Sequence, residues 1–235
     1  MQPWRAIDRA TAPDGTELVL ARRGAEWVVR AAGRVLMSSR VHGSEEALAT
    51  TAVARWRAAR ARGRAGDVAG PRTALLGGVG LGFTLRALLD AVPADARVIV
   101  AELVPALARW VRGPAAQLAG RPLEDARVRL QIGDVSGRIA EAHGAFDLVL
   151  LDVDNGPAPA AHRANAGLYG DAGIAACHRA LRRGGVLGVW SAGPDARYLA
   201  RLERAGFAAE ARSVGAGPGS GVRHVLFLGT KELAR

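Results

Sequence analysis

Three successive apolar runs of the sequence are each followed by residues suited to ligand binding. The run 73–76 leads into Gly77-Gly-Val-Gly-Leu-Gly82, the next run ends at Glu102, and the third closes at Asp134. Glycines let the backbone approach a ligand closely and leave N–H groups free where a helix begins. A carboxylate about twenty residues beyond such a loop accepts hydrogen bonds from a ribose diol, and an acid after the third run can accept one from an adenine amino group. The pattern predicts a nucleoside site formed by Gly77, Gly78, Gly80, Leu81, Gly82, Glu102 and Asp134.

Each of these features has a simpler explanation when it is taken alone. A glycine loop can be a tight turn, and Asp134 can cap a helix that starts beside Ser136. Their occurrence in register after successive apolar runs favours a shared ligand. A dinucleotide such as NAD is disfavoured, because its loop requires glycine at position 83, where Phe83 would block the pyrophosphate. We therefore expect a sulfonium nucleoside, S-adenosylmethionine or its decarboxylated form.

The elements that must position these residues alternate between apolar and helical patterns. Unbroken apolar runs suit strands buried on both faces of a parallel sheet, and they cover residues 73–76, 97–101, 128–132, 146–151 and 186–190. Helical spacing covers residues 83–91, 104–118, 136–143 and 164–181. Segments 207–214 and 224–228 flank a glycine-rich loop and predict a terminal hairpin. The order predicts an α/β fold with a doubly wound, mostly parallel Rossmann-like sheet and a terminal antiparallel hairpin, the class I methyltransferase arrangement.

A smaller unit precedes this sheet. Three Val- and Leu-rich segments, 17–21, 26–31 and 34–38, are separated by Arg-Gly or Ala-Gly turns and predict a small N-terminal β-meander. A helix is expected to follow, with Ser44 as its N-cap and glutamates in its first turn. A stretch rich in Gly and Arg follows that helix, so we divide the chain into residues 1–64 and residues 65–235.

The composition argues against several classes of protein. The single cysteine, Cys177, cannot form an intramolecular disulfide, and the histidines lack the spacing of metal ligands, so no metal is expected. No apolar run approaches the roughly 18 residues of a membrane span. The N-terminus lacks the apolar core of a signal peptide. We expect a cytoplasmic protein that does not bind membranes.

The net charge of +10 raises the question of a nucleic-acid partner. Only one of the 32 basic residues is lysine, which indicates a general preference for arginine in this composition. The densest basic run, from Arg55 to Arg64, continues the predicted helix without an aromatic ladder for base stacking. We interpret this run as a solvated helix face and do not expect nucleic acid. An acidic small molecule or an acidic partner stays open.

The segment from Thr73 to about Trp190 resembles the polyamine aminopropyltransferases, the spermidine synthase family. The glycine loop followed by Thr84-Leu-Arg86 matches, as do Glu102 followed by Leu-Val-Pro and the triplet Ile-Gly-Asp134. The N-terminal meander also fits this family. The glycine loop and the Gly-Asp pair are shared with methyltransferases.

Two further motifs make the resemblance more specific. The sequence Leu151-Asp152-Val-Asp-Asn-Gly-Pro157 stands in place of the family's Asp-Ser-x-Asp-Pro. The sequence Leu181-Arg-Arg-Gly-Gly-Val186 stands in place of Leu-x-Pro-Gly-Gly. The Asp152 motif is the more specific of the shared features, because it is not part of the general nucleoside-binding pattern.

The resemblance implies transfer of the aminopropyl group of decarboxylated S-adenosylmethionine to an amine acceptor. Asp152 would be the catalytic residue, because an acceptor amine with a pKa of about 10.4 must lose a proton before it attacks. A carboxylate at the end of the fourth strand could hold the ammonium and take that proton. Asp154, Asn155 and Tyr169 are the candidate acceptor-binding residues, and family analogy implies a homodimer.

The sequence departs from the family pattern at two acidic positions. Leu81 stands where the glycine loop of the family has an acid, and Asn155 aligns with the second acid of the Asp152 motif. Both family acids serve positively charged amines, so we expect weaker binding of dications and poor discrimination against intact S-adenosylmethionine. Asp154 could replace the second acid in part. A small-molecule methyltransferase and a non-catalytic nucleoside-binding protein remain alternative functions.

Overall fold

The computed structural model describes residues 2–61, 69–153, 156–157, 166–217 and 219–233, which form a four-stranded and a seven-stranded β-sheet. We call them the small sheet and the large sheet. The architecture confirms the predicted fold class: a small antiparallel sheet precedes a mostly parallel sheet that carries helices on both faces. A terminal antiparallel pair completes the large sheet.

The small sheet pairs its strands in chain order. It contains β1 (Arg5–Thr11), β2 (Glu17–Arg23), β3 (Glu26–Ala31) and β4 (Arg34–Ser38), each antiparallel to the next. The sequence predicted the last three strands and missed β1. This strand lies at an edge of the sheet, contains one large apolar residue, and has no buried position, so no hydrophobic pattern marks it.

The large sheet has the strand order β7-β6-β5-β8-β9-β11-β10. Its strands are β5 (Thr73–Gly77), β6 (Arg97–Glu102), β7 (Val128–Ile132), β8 (Phe146–Leu151), β9 (Leu181–Ser191), β10 (Phe207–Gly215) and β11 (Arg223–Lys231). Strands β5 to β9 run parallel to one another, and β11 is antiparallel to its neighbours β9 and β10. The prediction placed all seven strands and made β9 and β11 too short.

Helices cover both faces of the large sheet. They are α1 (Gly43–Ala61), α2 (Phe83–Ala91), α3 (Pro105–Arg112), α4 (Val135–Glu141), α5 (Ala166–Tyr169), α6 (Asp171–Ala180) and α7 (Ala196–Arg204). The predicted helix 104–118 is interrupted after Arg112, because Gly113 and Pro114 follow, and a short 3-10 turn continues it. The predicted helix 164–181 divides into α5 and α6 at Gly170.

The central strands are apolar throughout because they face two helical layers. In β8, Leu148 and Leu150 pack in the core cluster that contains residues of α1, α2 and α3. Val149 and Leu151 point to the opposite face and pack in the cluster with α4, α6 and α7. Apolar side chains of β2 and β3 join the first cluster, so the small sheet packs on the same layer as α1.

Helix α1 packs directly on the large sheet although it follows the small sheet in sequence. A Cβ atom at Gly188 of β9 would lie only 3.1 Å from Leu48 and 3.6 Å from Ala52, which shows how closely the helix approaches. The prediction that Ser44 is the N-cap is wrong. Ser44 lies inside the first turn, and its hydroxyl binds side chains of Glu45, Trp190 and His224 instead of a backbone N–H of the helix. The domain boundary stays a prediction.

The described members of the basic run bind the protein itself. Arg55 forms an ion pair with Glu210 at 2.9 Å, while Arg57 and Arg60 donate to backbone carbonyl groups. These contacts attach α1 to the end of α2 and to strands β9 and β10 of the large sheet. Within the described part of the chain, no helix combines the length and apolar character required to cross a bilayer.

Candidate active site

The carboxyl edge of the large sheet brings together residues that are distant in sequence. In the parallel register, Gly77 of β5 is paired with Ala101 of β6 on one side and with Leu151 of β8 on the other. Glu102 and Asp152 follow these neighbours immediately and therefore flank the glycine loop. The connections of the sheet run in opposite directions from β5 and β8, and α/β sheets bind ligands at such a point.

The glycine loop, residues 77–82, requires glycine at two of its positions. Gly78 has a φ of +82°, and a Cβ atom there would lie 2.6 Å from the carbonyl oxygen of Asp152. Gly82 has a φ of +93°, and its Cβ would lie 3.0 Å from Pro122. Helix α2 begins after Gly82 without a side-chain cap. An uncapped helix start leaves backbone N–H groups for a ligand.

Glu102 is buried at the end of β6 and holds the glycine loop. Its Oε2 accepts a hydrogen bond from the backbone N–H of Val79 at 2.8 Å, and its Oε1 accepts one from Val104 at 2.8 Å. Burial raises the pKa of the Glu102 carboxyl, and the backbone N–H groups oppose that rise. The backbone N–H groups of Gly80 and Leu103 also act on this carboxylate. Glu102 therefore fixes the loop, and its contact with a ribose hydroxyl stays a prediction.

Two other residues predicted to bind the nucleoside have contacts of their own. Asp134 is exposed and caps α4, because its Oδ1 accepts a hydrogen bond from the backbone N–H of Ser136 at 2.8 Å. Leu81 is only 5% exposed and belongs to the core cluster that also contains Leu85 and Val111. The adenine contact of Asp134 and the placement of Leu81 beside the donor's tail stay predictions.

Two apolar side chains at the same edge were not singled out by the sequence. Leu103, after Glu102, is 48% exposed, and Ile132, at the end of β7, is 54% exposed. Large exposed apolar side chains suit the faces of a flat aromatic base. In the sequence, these two residues could have been found because they lie beside the predicted acids Glu102 and Asp134. Met37 of β4 also approaches the loop, since its sulfur would lie 3.6 Å from a Cβ at Gly80.

Asp152 follows β8 and is the best-placed candidate base. The hydroxyl of Thr84, in the first turn of α2, donates a hydrogen bond to its Oδ2 at 2.5 Å. The Asp152 side chain is partly accessible to solvent and is still largely surrounded by protein. Burial raises the pKa of Asp152 from 3.8 to about 6, and the Thr84 hydrogen bond opposes the rise. Such a carboxylate can hold an ammonium group and accept its proton.

A second acidic residue near Asp152 is Glu45 of α1, which was not among the predicted site residues. Burial raises the pKa of Glu45 from 4.5 to about 7, and the negative charge of Asp152 adds to the rise. The Ser44 hydroxyl donates to Glu45 Oε2 at 2.5 Å. Glu45 precedes Asp152 by over a hundred residues and belongs to no recognised motif, so only packing of α1 on the large sheet reveals it.

The predicted acceptor-binding residues are only partly described. Tyr169 is buried, and its hydroxyl donates to the backbone carbonyl of Val153 at 2.9 Å. This hydrogen bond supports the segment that follows Asp152. Asp154 and Asn155 lie outside the described residues. The acceptor contacts of all three stay predictions.

Two other features of the described surface bear on ligand binding. Among the described residues, no three His, Cys, Asp or Glu side chains converge as metal ligands. A shallow groove of about 510 Å³ lies between α3 and β7 and is lined by Pro105, Ala108, Arg109, Arg112, Gly113, Leu130 and Ile132. This groove has no carboxylate in its lining, and it shares Ile132 with the carboxyl edge of the large sheet.

Comparison with known proteins gives matches in structure only. Neither a protein-family model nor a curated protein matches the sequence. A spermidine synthase solved with the transition-state analogue AdoDATO is similar over 98% of this chain and 73% of its own, with 16% identity and a TM-score of 0.72. The spermidine synthase of Thermotoga maritima shows the same coverage and identity, with a TM-score of 0.73.

A third match is a probable spermidine synthase from Corynebacterium glutamicum. It is 20% identical, with a TM-score of 0.61 over 97% of this chain and 81% of its own. The similarity in all three structures extends over the small sheet as well as the large one, since nearly the whole chain is covered. The chain therefore has the fold of the solved spermidine synthases, as the resemblance of its motifs implies.

Proposed function

We propose that the protein is a spermidine synthase-like transferase, which moves an aminopropyl group from decarboxylated S-adenosylmethionine to an amine. The observation that carries this proposal is the position of Asp152. Its carboxylate lies next to the glycine loop at the switch point of the sheet, partly buried, with a raised pKa and a hydrogen bond from Thr84. The spermidine synthase solved with a transition-state analogue supports the choice of donor.

The nucleoside would bind along the edge formed by β5, β6 and β7. The glycine loop would contact the donor's tail, and Glu102 would accept hydrogen bonds from the ribose hydroxyls. Leu103 and Ile132 would contact the faces of the adenine ring, while Asp134 would accept from its amino group. Charge-assisted hydrogen bonds to Glu102 would supply much of the affinity in this arrangement.

The chemical step would require a neutral amine aligned with the donor carbon. Asp152 holds the ammonium and accepts one proton, and partial burial helps because it lowers the pKa of an amine. The nitrogen lone pair then forms a bond to the carbon beside the sulfonium. The carbon–sulfur bond breaks, its electron pair neutralises the sulfur, and methylthioadenosine leaves. The fold contributes mainly by aligning nitrogen, carbon and sulfur.

A methyltransferase that uses intact S-adenosylmethionine is the second candidate. The observation in its favour is Leu81, an apolar residue in the glycine loop where an acid would repel the methionine carboxylate. The two functions differ in the product. Protein is incubated with each nucleoside and a panel of amines, and the products are identified by mass. Our proposal expects addition of an aminopropyl group from the decarboxylated donor, whereas methylated products alone would contradict it.

A further inference from the structure

Glu45 and Asp152 form a pair of carboxylates near the carboxyl edge of the large sheet. Glu45 comes from the first turn of α1, and Asp152 comes from the end of β8, so two independent elements of the fold converge. Leu151, the residue before Asp152, is paired with Val189 of β9, and the next residue of β9, Trp190, donates a hydrogen bond from its ring to Ser44, which precedes Glu45. Both carboxylates are partly buried and partly accessible. A ligand at this edge of the sheet would meet both of them.

The pair has no basic partner in the described part of the chain. No arginine, lysine or histidine there forms an ion pair with either carboxylate, and the only side chains hydrogen-bonded to them are the hydroxyls of Ser44 and Thr84. Two neighbouring negative charges that are partly removed from water destabilise each other. A cationic ligand would relieve that repulsion, and one with two positive charges would do so more fully.

A buried hydrogen-bond network fixes the position of Glu45. Ser44 is fully buried, and its hydroxyl donates to Glu45 Oε2 at 2.5 Å. Ser44 Oγ also accepts a hydrogen bond from Trp190 Nε1 at 3.0 Å and lies 2.9 Å from His224 Nδ1. Because a hydroxyl has one proton, His224 must donate through Nδ1 while Ser44 donates to Glu45. The first turn of α1 is thereby tied to β9 and β11.

We propose that Glu45 is a specificity residue of the acceptor site, which binds a second positive charge on the amine, and that Ser44, held by Trp190 and His224, positions its carboxylate. The inference rests on the proposed function and deepens it, because it assigns a role to a residue outside the motifs. Asp152 receives the reacting nitrogen, and Glu45 receives the distant one. An acceptor with a single nitrogen therefore gains nothing from Glu45.

The test compares a diamine with a matching monoamine. Binding of 1,4-diaminobutane and of n-butylamine is measured by calorimetry for wild type, Glu45→Gln and Glu46→Gln. Glu46 is the matched control, because it is adjacent to Glu45 but its Oε1 lies 3.0 Å from His42 Nδ1. Wild type and Glu46→Gln are expected to prefer the diamine by about tenfold or more, and Glu45→Gln to lose most of that preference. An unchanged preference in Glu45→Gln would overturn the proposal.

The titrations separate this proposal from the proposed function. They are made both with methylthioadenosine and without nucleoside. Loss of diamine preference in Glu45→Gln, together with no nucleoside binding in wild type, would support the role of Glu45 and contradict the transferase. Nucleoside binding with equal affinity for both amines in wild type would overturn the role of Glu45 alone.

The positioning role of Ser44 has its own readout. Ser44→Ala should reduce the diamine preference about three- to tenfold while binding of n-butylamine stays within about twofold. His224→Asn keeps an N–H donor and should retain the preference, whereas His224→Leu should reduce it. If Ser44 had a purely structural role, Ser44→Ala would weaken the binding of both amines equally. That result would overturn the assignment of Ser44. Thermal unfolding of each variant identifies any that fails to fold.

Discussion

At the residue scale, the proposed reaction depends on the carboxylate of Asp152. Asp152→Asn removes the proton acceptor but keeps the shape of the side chain. We expect nucleoside affinity to stay within a few-fold and turnover to fall about 10²-fold or more, as for loss of a general base. Steady-state kinetics with the best amine from the product screen provides the measurement. Asp171→Asn, at an exposed position of α6, is the control and should have wild-type turnover.

Thr84 should adjust the pH dependence of the same carboxylate. Its hydrogen bond stabilises the charged form of Asp152, so Thr84→Val, which has nearly the same shape, should raise the pKa of Asp152 above about 6. The rise of kcat/KM on the acidic side of the profile, which follows deprotonation of Asp152, should then move to higher pH by about one unit. The profile is measured between about pH 5 and pH 9. A profile that does not move would show that Asp152 is not the group that titrates.

At the scale of elements, the contact between α1 and the large sheet positions Glu45. In Gly188→Ala the new Cβ would lie 2.9 Å from Leu150 and 3.1 Å from Leu48, both of which are buried. Overpacking of this kind costs about 1–3 kcal/mol of stability. Urea unfolding gives the value. The control is Gly193→Ala, because no atom lies within 4 Å of the Cβ that it adds. Equal stability of the two variants would show that α1 packs differently.

The junction between β5, β6 and the glycine loop gives a second prediction at this scale. Glu102→Ala removes hydrogen bonds to Val79 and Val104 as well as the predicted ribose contact. Nucleoside affinity should fall by about 1–3 kcal/mol, or roughly 5- to 150-fold, and the melting temperature should fall too. Calorimetric titration and thermal unfolding are measured together. Loss of stability without loss of affinity would remove Glu102 from the binding site.

The elements differed in how far the sequence could predict them. The strands of the large sheet have continuous apolar runs because both of their faces are covered, and this pattern is visible locally. The edge strand β1 has no buried face and gave no signal. The glycine loop and Asp152 were recognised because their spacing is local. Glu45 was not, because its approach to Asp152 depends on how α1 packs on β8 and β9, which no local pattern encodes.

At the scale of the whole molecule, the two raised carboxyl pKa values should reduce stability as the pH rises. Folding raises the pKa of Asp152 from 3.8 to about 6 and that of Glu45 from 4.5 to about 7. The folded chain therefore binds more protons than the unfolded chain between about pH 4 and pH 7. The two carboxyl groups contribute their full stabilisation at a pH below their pKa values in the unfolded chain. This stabilisation is lost as the pH rises through their pKa values in the folded chain.

A double variant isolates this effect from the rest of the chain. Between about pH 4 and pH 7, the free energy of unfolding of the wild type should fall by about 1–3 kcal/mol more than that of the double variant Glu45→Gln/Asp152→Asn. The pKa values of Asp8 and Asp125 are lowered to about 2, so the contribution of these two residues to the free energy of unfolding changes at more acidic pH. Urea unfolding at several pH values measures the difference. Parallel curves for the two proteins would contradict the assigned pKa shifts.

The most direct test of the central claim is the yield of methylthioadenosine in a single turnover. Protein in excess is mixed with decarboxylated S-adenosylmethionine and an amine accepted in the product screen, and both products are quantified. We expect equal amounts of methylthioadenosine and aminopropylated amine, formed about 10²-fold more slowly by Asp152→Asn. Bound nucleoside that yields no methylthioadenosine with any amine would contradict the assignment of this protein as an aminopropyl transferase.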